Sequence, residues 1–205
     1  MIAFWLENTA AIFGFIAVVL TITRHPWCWP IGLVQVALYI AVFAQARLYS
    51  DMILHIIYVG LQIYGWMSWL RSPKVEEQGT NKVRIERLSW TGHIIAGTSA
   101  AAISLAVGLM MARFTNAASP MIDATVMGLS LTAQVLSTRR YIENWPYWIG
   151  IDVLCIGLFW SRGLIATTVL YAVFLILSII GYIVWQTALN KQRTSNATVP
   201  SGANP

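Results

Sequence analysis

Long apolar segments follow one another along almost the whole chain, and this succession restricts the fold more than any other feature. A helix needs roughly 20 apolar residues to cross the hydrocarbon core of a bilayer, where no water is present to satisfy free backbone groups. Division of the sequence at charges and turn-forming residues predicts seven such spans. They run approximately over Ile2–Thr23, Trp29–Ala46, Tyr49–Leu70, Trp90–Ala112, Ser119–Thr138, Trp145–Trp160 and Leu164–Leu189.

Composition agrees with an all-α integral membrane protein. The chain is 58% hydrophobic and only 10% charged, which excludes an ordinary water-soluble domain of this size. The first span lacks a preceding basic residue and a following small-residue cleavage pattern, so we expect it to remain as a membrane helix. Cys28 and Cys155 are far apart and the three histidines are scattered, so neither a disulfide framework, a metal site nor a cofactor is expected.

Basic residues indicate the orientation, because cytoplasmic connections carry an excess of Lys and Arg. Most of them follow the first, third, fifth and seventh predicted spans, in particular within the loop Arg71–Ser89 and at Arg139 and Arg140. They lie between apolar segments and do not form an aromatic-interleaved surface for nucleic acid. We therefore expect the N-terminus outside and the C-terminus in the cytoplasm.

The sequence also contains an internal repeat. An offset of 116 residues places Trp29-Pro30 on Trp145-Pro146 and Gly65, Trp66 and Trp69 on Gly181, Tyr182 and Trp185. Two parallel three-helix units must enter the membrane from the same side, so an additional helix has to join them. This predicts a 3+1+3 arrangement, with a first repeat at 1–70, a loop and linker helix at 71–116, a second repeat at 117–189 and a disordered cytoplasmic tail at 190–205.

Polar residues recur on single faces of several predicted spans. In the third span they are spaced by three and four residues, and the other spans carry shorter series. The series are Asp51, His55, Tyr58, Gln62 and Trp66; Thr167, Tyr171, Phe174, Ser178 and Tyr182; Asp123, Ser130 and Gln134; and Gln35, Tyr39 and Phe43. Such residues line a wet cavity or bond helices together, and capping of helix N-termini is the simpler role for Asp51 and Asp123.

The segment ENWPYWIGID contains the most unusual polar group. Pro146 suits the first turn of a helix, which places Trp145, Trp148 and Asp152 on one face. Asn144 then lies at the start of this helix. The two tryptophans could also belong to an interfacial aromatic belt. A carboxylate two turns into the hydrocarbon is costly unless it meets donors, which a hydroxylated or cationic ligand would supply.

Four motifs together resemble the PnuC family of vitamin transporters, whose best-known members carry nicotinamide riboside. They are Arg139-Arg140-Tyr141-x-Glu143-Asn144-Trp145-x-x-Trp148 followed by Asp152; Leu48-Tyr49-x-Asp51; Tyr64-Gly65-Trp66-x-x-Trp69; and Leu170-Tyr171-x-x-Phe174. The resemblance extends from Phe4 to Trp185. It implies a 3+1+3 fold in a bacterial inner membrane, facilitated diffusion without ATP, trapping of the vitamin by a cytoplasmic kinase, and a homo-oligomer such as a trimer.

The resemblance also implies a ligand set. The family's ligand positions read here Gln134, Asn144, Trp145, Trp148, Asp152 and Tyr171, with Tyr58 and Gln62 as additions from the third span. Gln35 is a departure, since family members often carry Asn there, and this leaves thiamine or another vitamin as an alternative substrate.

Ligand chemistry fits this set. A cationic aromatic ring calls for a Trp or Tyr face, a carboxamide pairs with Asn144 and Gln134, and Asp152 can accept from ribose hydroxyls. Three rivals are a sugar transporter of the SWEET architecture, a membrane enzyme and an ion-coupled pump. The aromatic density disfavours the first, the scattered histidines disfavour the second, and only Asp152 could serve the third.

Overall fold

The computed structural model describes residues 2–46, 49–77, 80–115 and 119–197. Within these ranges the chain forms seven helices and one short hairpin. The elements are α1 (Ile2–Ile22), α2 (Cys28–Ala46), α3 (Tyr49–Arg71), β1 (Lys74–Glu77), β2 (Thr80–Val83), α4 (Trp90–Phe114), α5 (Pro120–Thr138), α6 (Asn144–Ser161) and α7 (Ile165–Ala197). The expected all-α fold class is confirmed.

The predicted spans coincide with these helices to within a few residues, except at the end of α7. The loop after α3 contains the antiparallel pair β1 and β2, which hydropathy alone does not reveal. Helix α7 continues to Ala197, so the predicted disorder is wrong for residues 190–197, and the remainder of the predicted tail lies outside the described residues. The motif residue Leu48 also lies outside them.

Among the described residues, four helices are long and apolar enough to cross a membrane, over Cys28–Gln45, Met52–Arg71, Trp90–Phe114 and Thr167–Thr194. Most of the buried polar side chains in the described part of the chain lie instead on α5 and α6, which are surrounded by other helices. Exposed indoles at Trp5, Trp27, Trp90 and Trp160 lie near helix ends, as expected for rings at membrane interfaces. The protein is an all-α membrane protein.

Two three-helix groups face each other in the structure. Helix α2 packs between α1 and α3 in the first group, and α6 packs between α5 and α7 in the second. The groups meet where α3 contacts α5 and where α1 contacts α7, and α4 lies against α5. These two contacts are equivalent under the 116-residue offset, as the predicted 3+1+3 arrangement requires.

A cluster of four tryptophans joins the groups at the end of the bundle that carries the hairpin. Trp29 and Trp69 meet edge to face at 5.4 Å, their counterparts Trp145 and Trp185 do so at 5.6 Å, and Trp69 and Trp185 lie 6.1 Å apart. We call these residues the tryptophan cluster. In each group the first indole lies directly over a glycine of the neighbouring helix, Gly65 beneath Trp29 and Gly181 beneath Trp145.

Helices α1 and α5 end in the same turn. Arg24 and Arg140 have positive φ angles of 58° and 64°, and the flanking amides return to the last turn of the helix in the same pattern. In α1 the amide of His25 donates to the carbonyl of Leu20 at 2.9 Å, and that of Arg24 donates to Thr21 at 3.0 Å. This is a Schellman ending, and it occurs here without the usual glycine.

The loop after α3 connects both groups through these arginines. Arg24 pairs with Glu77 of β1, and Arg140 donates to Glu86 at 2.8 Å and to Ser68 at 3.2 Å. The backbone of Glu86 also bonds to the carbonyl of Arg140 and the amide of Ile142, both at 3.1 Å. Residues 72–77 and 80–88 therefore tie the ends of α1 and α5 together on one side of the bundle.

Candidate functional site

Helix α6 begins with a fully buried amide side chain. Asn144 is 0% exposed, and its Nδ2 donates to the carbonyl of Tyr141 at 2.6 Å. Its Oδ1 accepts no hydrogen bond from any described residue. A buried acceptor without a donor costs about 1–3 kcal/mol, so this oxygen is suited to a ligand that brings an N–H group.

Trp148 lies one turn deeper on α6 and connects two apolar regions. Its partly buried ring packs against the larger buried apolar cluster that contains the four tryptophans, and also against a smaller cluster formed by Ala133, Ile151 and Cys155. The ring thus lies between the packed end of the bundle and the middle of α6. In this position its face can serve as a wall for a flat ligand.

Asp152 places a carboxylate in the middle of the bundle. It is 4% exposed and accepts a hydrogen bond from the Ser178 hydroxyl of α7 at 3.0 Å. Among the described residues, no Lys, Arg or His nitrogen lies within 4.0 Å of this carboxylate. A buried acid with a single neutral donor keeps much of its unfavourable desolvation, which is unusual unless a ligand compensates for it.

Tyr171 closes the region on the side away from the tryptophan cluster. Its ring stacks on Phe159 at 5.3 Å and meets Phe174 at 6.2 Å, and its hydroxyl group lies near the Cys155 thiol. Tyr39 of the first group is close enough to Tyr171 to interact with it electrostatically. The polar middle of α6 and α7 therefore lies between two aromatic layers.

The first group has a comparable set of rings at the equivalent positions. His55 contacts Phe43 at 4.9 Å, Tyr39 at 5.5 Å and Tyr58 at 5.7 Å. The Tyr58 hydroxyl lies near Ser130 of α5, so this side chain reaches from the first group to the second. Phe43, His55 and Tyr58 correspond to Phe159, Tyr171 and Phe174 in the 116-residue repeat.

The remaining residues of the predicted ligand set lie elsewhere. The Trp145 ring is 2% exposed within the tryptophan cluster, where it packs on Gly181 and Trp185. The amide of Gln35 lies against Gly14 of α1, and the amide of Gln62 lies against Gly32 of α2. Gln134 is partly buried on α5.

Three further acids named in the sequence analysis, Asp123, Glu143 and Asp51, lie outside the predicted ligand set. Asp123 lies in the first turn of α5 and faces Arg162 at 3.8 Å. Glu143 accepts from the Leu88 amide at 3.1 Å, and together with Arg87 and His93 it borders a cavity of about 300 Å³ at the start of α6. The side chain of Asp51 is outside the described part of the chain.

The two repeats differ at the residues that surround this polar region. Packing residues are retained, as at Trp29 and Trp145 or Gly65 and Gly181. The polar and aromatic residues of the second repeat have small or apolar counterparts in the first, in the pairs Asn144 and Cys28, Trp148 and Gly32, Asp152 and Val36, and Gln134 and Val18. Because the first repeat folds in the same way without these groups, the second repeat does not need them for packing.

Comparisons with known proteins decide the family. The model of the nicotinamide mononucleotide transporter family matches residues 4–187. The chain belongs to this family. It is accordingly a membrane transporter and not an enzyme.

Several known proteins are similar to this chain over most of their length. The nicotinamide riboside transporter PnuC of Escherichia coli (strain K12) is 27% identical, with 88% of this chain and 84% of the relative covered. The riboflavin/roseoflavin transporter RibM of Streptomyces davaonensis is 23% identical, with 83% and 79% covered. The crystal structure of the vitamin B3 transporter PnuC superimposes with a TM-score of 0.77 at 26% identity, over 91% of this chain and 83% of that one.

One residue of the site was not in the predicted ligand set. Ser178 donates to Asp152, yet the sequence indicated it only as a member of the polar series on the seventh span. Its contact with α6 depends on how the two helices pack, which spacing within α7 does not reveal. The available signal was the repeat itself, because Ser178 stands where the first repeat has Gln62.

Proposed function

We propose that this protein imports nicotinamide riboside by facilitated diffusion through a site in its second repeat. The observation that carries the proposal is the asymmetry between the repeats, which confines Asn144, Trp148 and Asp152 to one side of an otherwise duplicated bundle. The names of several relatives state the same substrate. Each part of nicotinamide riboside has a suitable partner in the region around Asn144, Trp148 and Asp152.

The ring and the carboxamide are bound near the start of α6. The unpaired Oδ1 of Asn144 accepts from the carboxamide N–H, and Gln134 provides a second amide. Trp148 offers a ring face near the start of α6, and Tyr171 offers one on the far side of Asp152. Attraction between a cationic ring and an indole is worth about 2 kcal/mol when water is excluded. Tyr58 contributes a hydroxyl from the first repeat. Trp145, Gln35 and Gln62 are left out of this pocket because they pack against glycines.

Asp152 and Ser178 lie deeper and suit the ribose. The carboxylate accepts from sugar hydroxyls while Ser178 holds it in place. Such a site binds its ligand without any resident ion or cofactor. In this proposal Asp152 remains an acceptor and carries no proton during transport.

The topology follows from the positions of the basic residues. The end of the bundle that carries the hairpin β1–β2 also carries Arg24, Arg139 and Arg140, so it faces the cytoplasm, and the N-terminus is outside. The membrane is the inner membrane of a bacterium. Phosphorylation of the vitamin in the cytoplasm keeps it from leaving, and the protein assembles as a homo-oligomer such as a trimer.

Isothermal titration of the purified protein with nicotinamide riboside, thiamine and riboflavin tests the substrate. Binding of nicotinamide riboside at least about tenfold tighter than the other two, a free-energy difference of about 1.4 kcal/mol, supports the proposal. Tighter binding of riboflavin would contradict it and favour the second candidate, a flavin transporter, which rests on the similarity to RibM.

Uptake into proteoliposomes tests the mode of transport. Facilitated diffusion brings the internal concentration of the vitamin to the external level and no higher, with or without a pH gradient. Accumulation above the external level under an imposed pH gradient would contradict this part of the proposal and would indicate ion coupling.

A further inference from the structure

Resting on the proposed function, we infer that Asp152 and Ser178 form a charge-selecting pair, which makes the site prefer a cationic ring over its uncharged counterpart. The pair connects α6 and α7 in the middle of the bundle, with side chains that are only 4% and 5% exposed. Ser178 supplies a dipole but no charge. Among the described residues no basic nitrogen lies within 4.0 Å of the carboxylate. Its negative charge is therefore left for the ligand to balance.

The first repeat shows that packing does not require this carboxylate. Val36 occupies the position equivalent to Asp152, with a similar exposure of 5%, and the helices around it pack in the same way. A valine there avoids the cost of burying a charge, whereas Asp152 incurs it. A charge retained at such a cost in one repeat only is explained by a function of that repeat.

The neighbours of Asp152 strengthen its effect. Cys155 and Tyr171 lie near enough for electrostatic interaction, and both are uncharged in their ordinary protonated forms. Apolar and aromatic surroundings screen a charge poorly, so attraction between the carboxylate and a cationic ring persists over several ångströms. An uncharged ring gains nothing from the same field.

Ser178 acts as a positioning residue in this pair. Its hydroxyl holds the Oδ2 atom of Asp152 at 3.0 Å, which leaves Oδ1 to face the ligand. Loss of the hydroxyl should therefore weaken the preference for a cation less than loss of the charge does. Threonine at this position keeps the hydroxyl and should restore the preference.

A matched pair of ligands separates charge selection from simple recognition of the ribose. Nicotinamide riboside carries a positive pyridinium ring, and its 1,4-dihydro form has the same carboxamide and ribose but no charge. Titration of both into the purified full-length protein should give at least about tenfold tighter binding of the cation. The preference should fall below about threefold in Asp152→Asn, persist in Asp123→Asn, decrease partially in Ser178→Ala and return in Ser178→Thr.

Each outcome decides the inference. Equal affinity of the wild-type protein for the two forms overturns it while leaving the proposed function intact, and so does an unchanged preference in Asp152→Asn. Binding of riboflavin with no binding of either riboside overturns both. If Asp152→Asn does not fold, Asp152→Val supplies the side chain that the first repeat already accommodates, and the wild-type ratio alone remains decisive.

Discussion

Trp69 of the first repeat donates its indole hydrogen to the carbonyl oxygen of Ser137 in the second repeat, at 3.0 Å. Trp185 of the second repeat makes the equivalent contact with the first repeat, and its indole nitrogen lies 3.2 Å from the carbonyl oxygens of Thr21 and Ile22. Ser137 and Thr21 are equivalent positions, so the repeats exchange the same bond. Each tryptophan adds a second donor to a carbonyl that also accepts from the arginine amide of the helix-ending turn.

Phenylalanine at either position should therefore weaken the contact between the repeats. Trp69→Phe and Trp185→Phe each remove one buried donor and some ring volume, which should cost about 1–3 kcal/mol. We expect a lower Tm of the detergent-solubilised protein, measured by intrinsic fluorescence. Trp90→Phe is the matched control, because Trp90 is 80% exposed and its replacement should leave Tm unchanged. Equal Tm values for all three variants would contradict a structural role for the exchanged bonds.

A methyl group at Gly65 should be poorly tolerated. The ring of Trp29 lies where the Cβ atom would be, so Gly65→Ala forces the indole or α3 to move at a cost of about 1–3 kcal/mol. Gly60→Ala lies in the same helix with open space around the added carbon, and it should be neutral or slightly stabilising. Thermal unfolding of the two variants in one detergent compares them directly. A lower Tm for Gly60→Ala than for Gly65→Ala would refute the close packing of Trp29 on Gly65.

The loop after α3 should open locally more often when Glu86 loses its charge. Arg140 donates to this carboxylate, which is 42% exposed, so the pair is worth at most about 1 kcal/mol. Glu86→Gln should increase the rate of tryptic cleavage after Lys82 and Arg84 by roughly two- to fivefold, because local opening becomes more frequent. The control is Glu76→Gln, since Glu76 is exposed on β1. Identical cleavage rates in the two variants would argue against the pair of Arg140 and Glu86 as a restraint on this loop.

The fold was largely predictable from the sequence, because each helix is marked by its own apolar length and by polar or Pro residues at its ends. The repeat was visible as well, since Trp and Gly rarely coincide by chance at one offset. The hairpin β1–β2 was not, because its four-residue strands lack an apolar series and are held through Arg24 and Glu77, which are distant in sequence.

The candidate site was predictable only in part. Asn144 and Asp152 stood out because polar groups at these depths are costly whatever surrounds them. Trp145 and Trp148 looked alike, since both lie on the same predicted face of α6. Only the packing separates them, because Gly181 makes room for Trp145, whereas none of the described glycines lies against Trp148. Ser178 became apparent only when α6 and α7 were placed side by side.

This difference between the two indoles leads to the most direct test of the pocket. Trp148→Ala and Asn144→Ala should abolish measurable binding of nicotinamide riboside, a loss of about 100-fold or more, while the protein still folds. Trp145→Phe should behave in the opposite way, with a lower Tm and an affinity within about threefold of the wild type, because its ring fills space over Gly181. Trp27→Ala removes an exposed indole and should change neither quantity. Isothermal titration, combined with size-exclusion chromatography to establish folding, distinguishes these outcomes. Wild-type affinity in both folded Trp148→Ala and Asn144→Ala would refute the pocket at the start of α6.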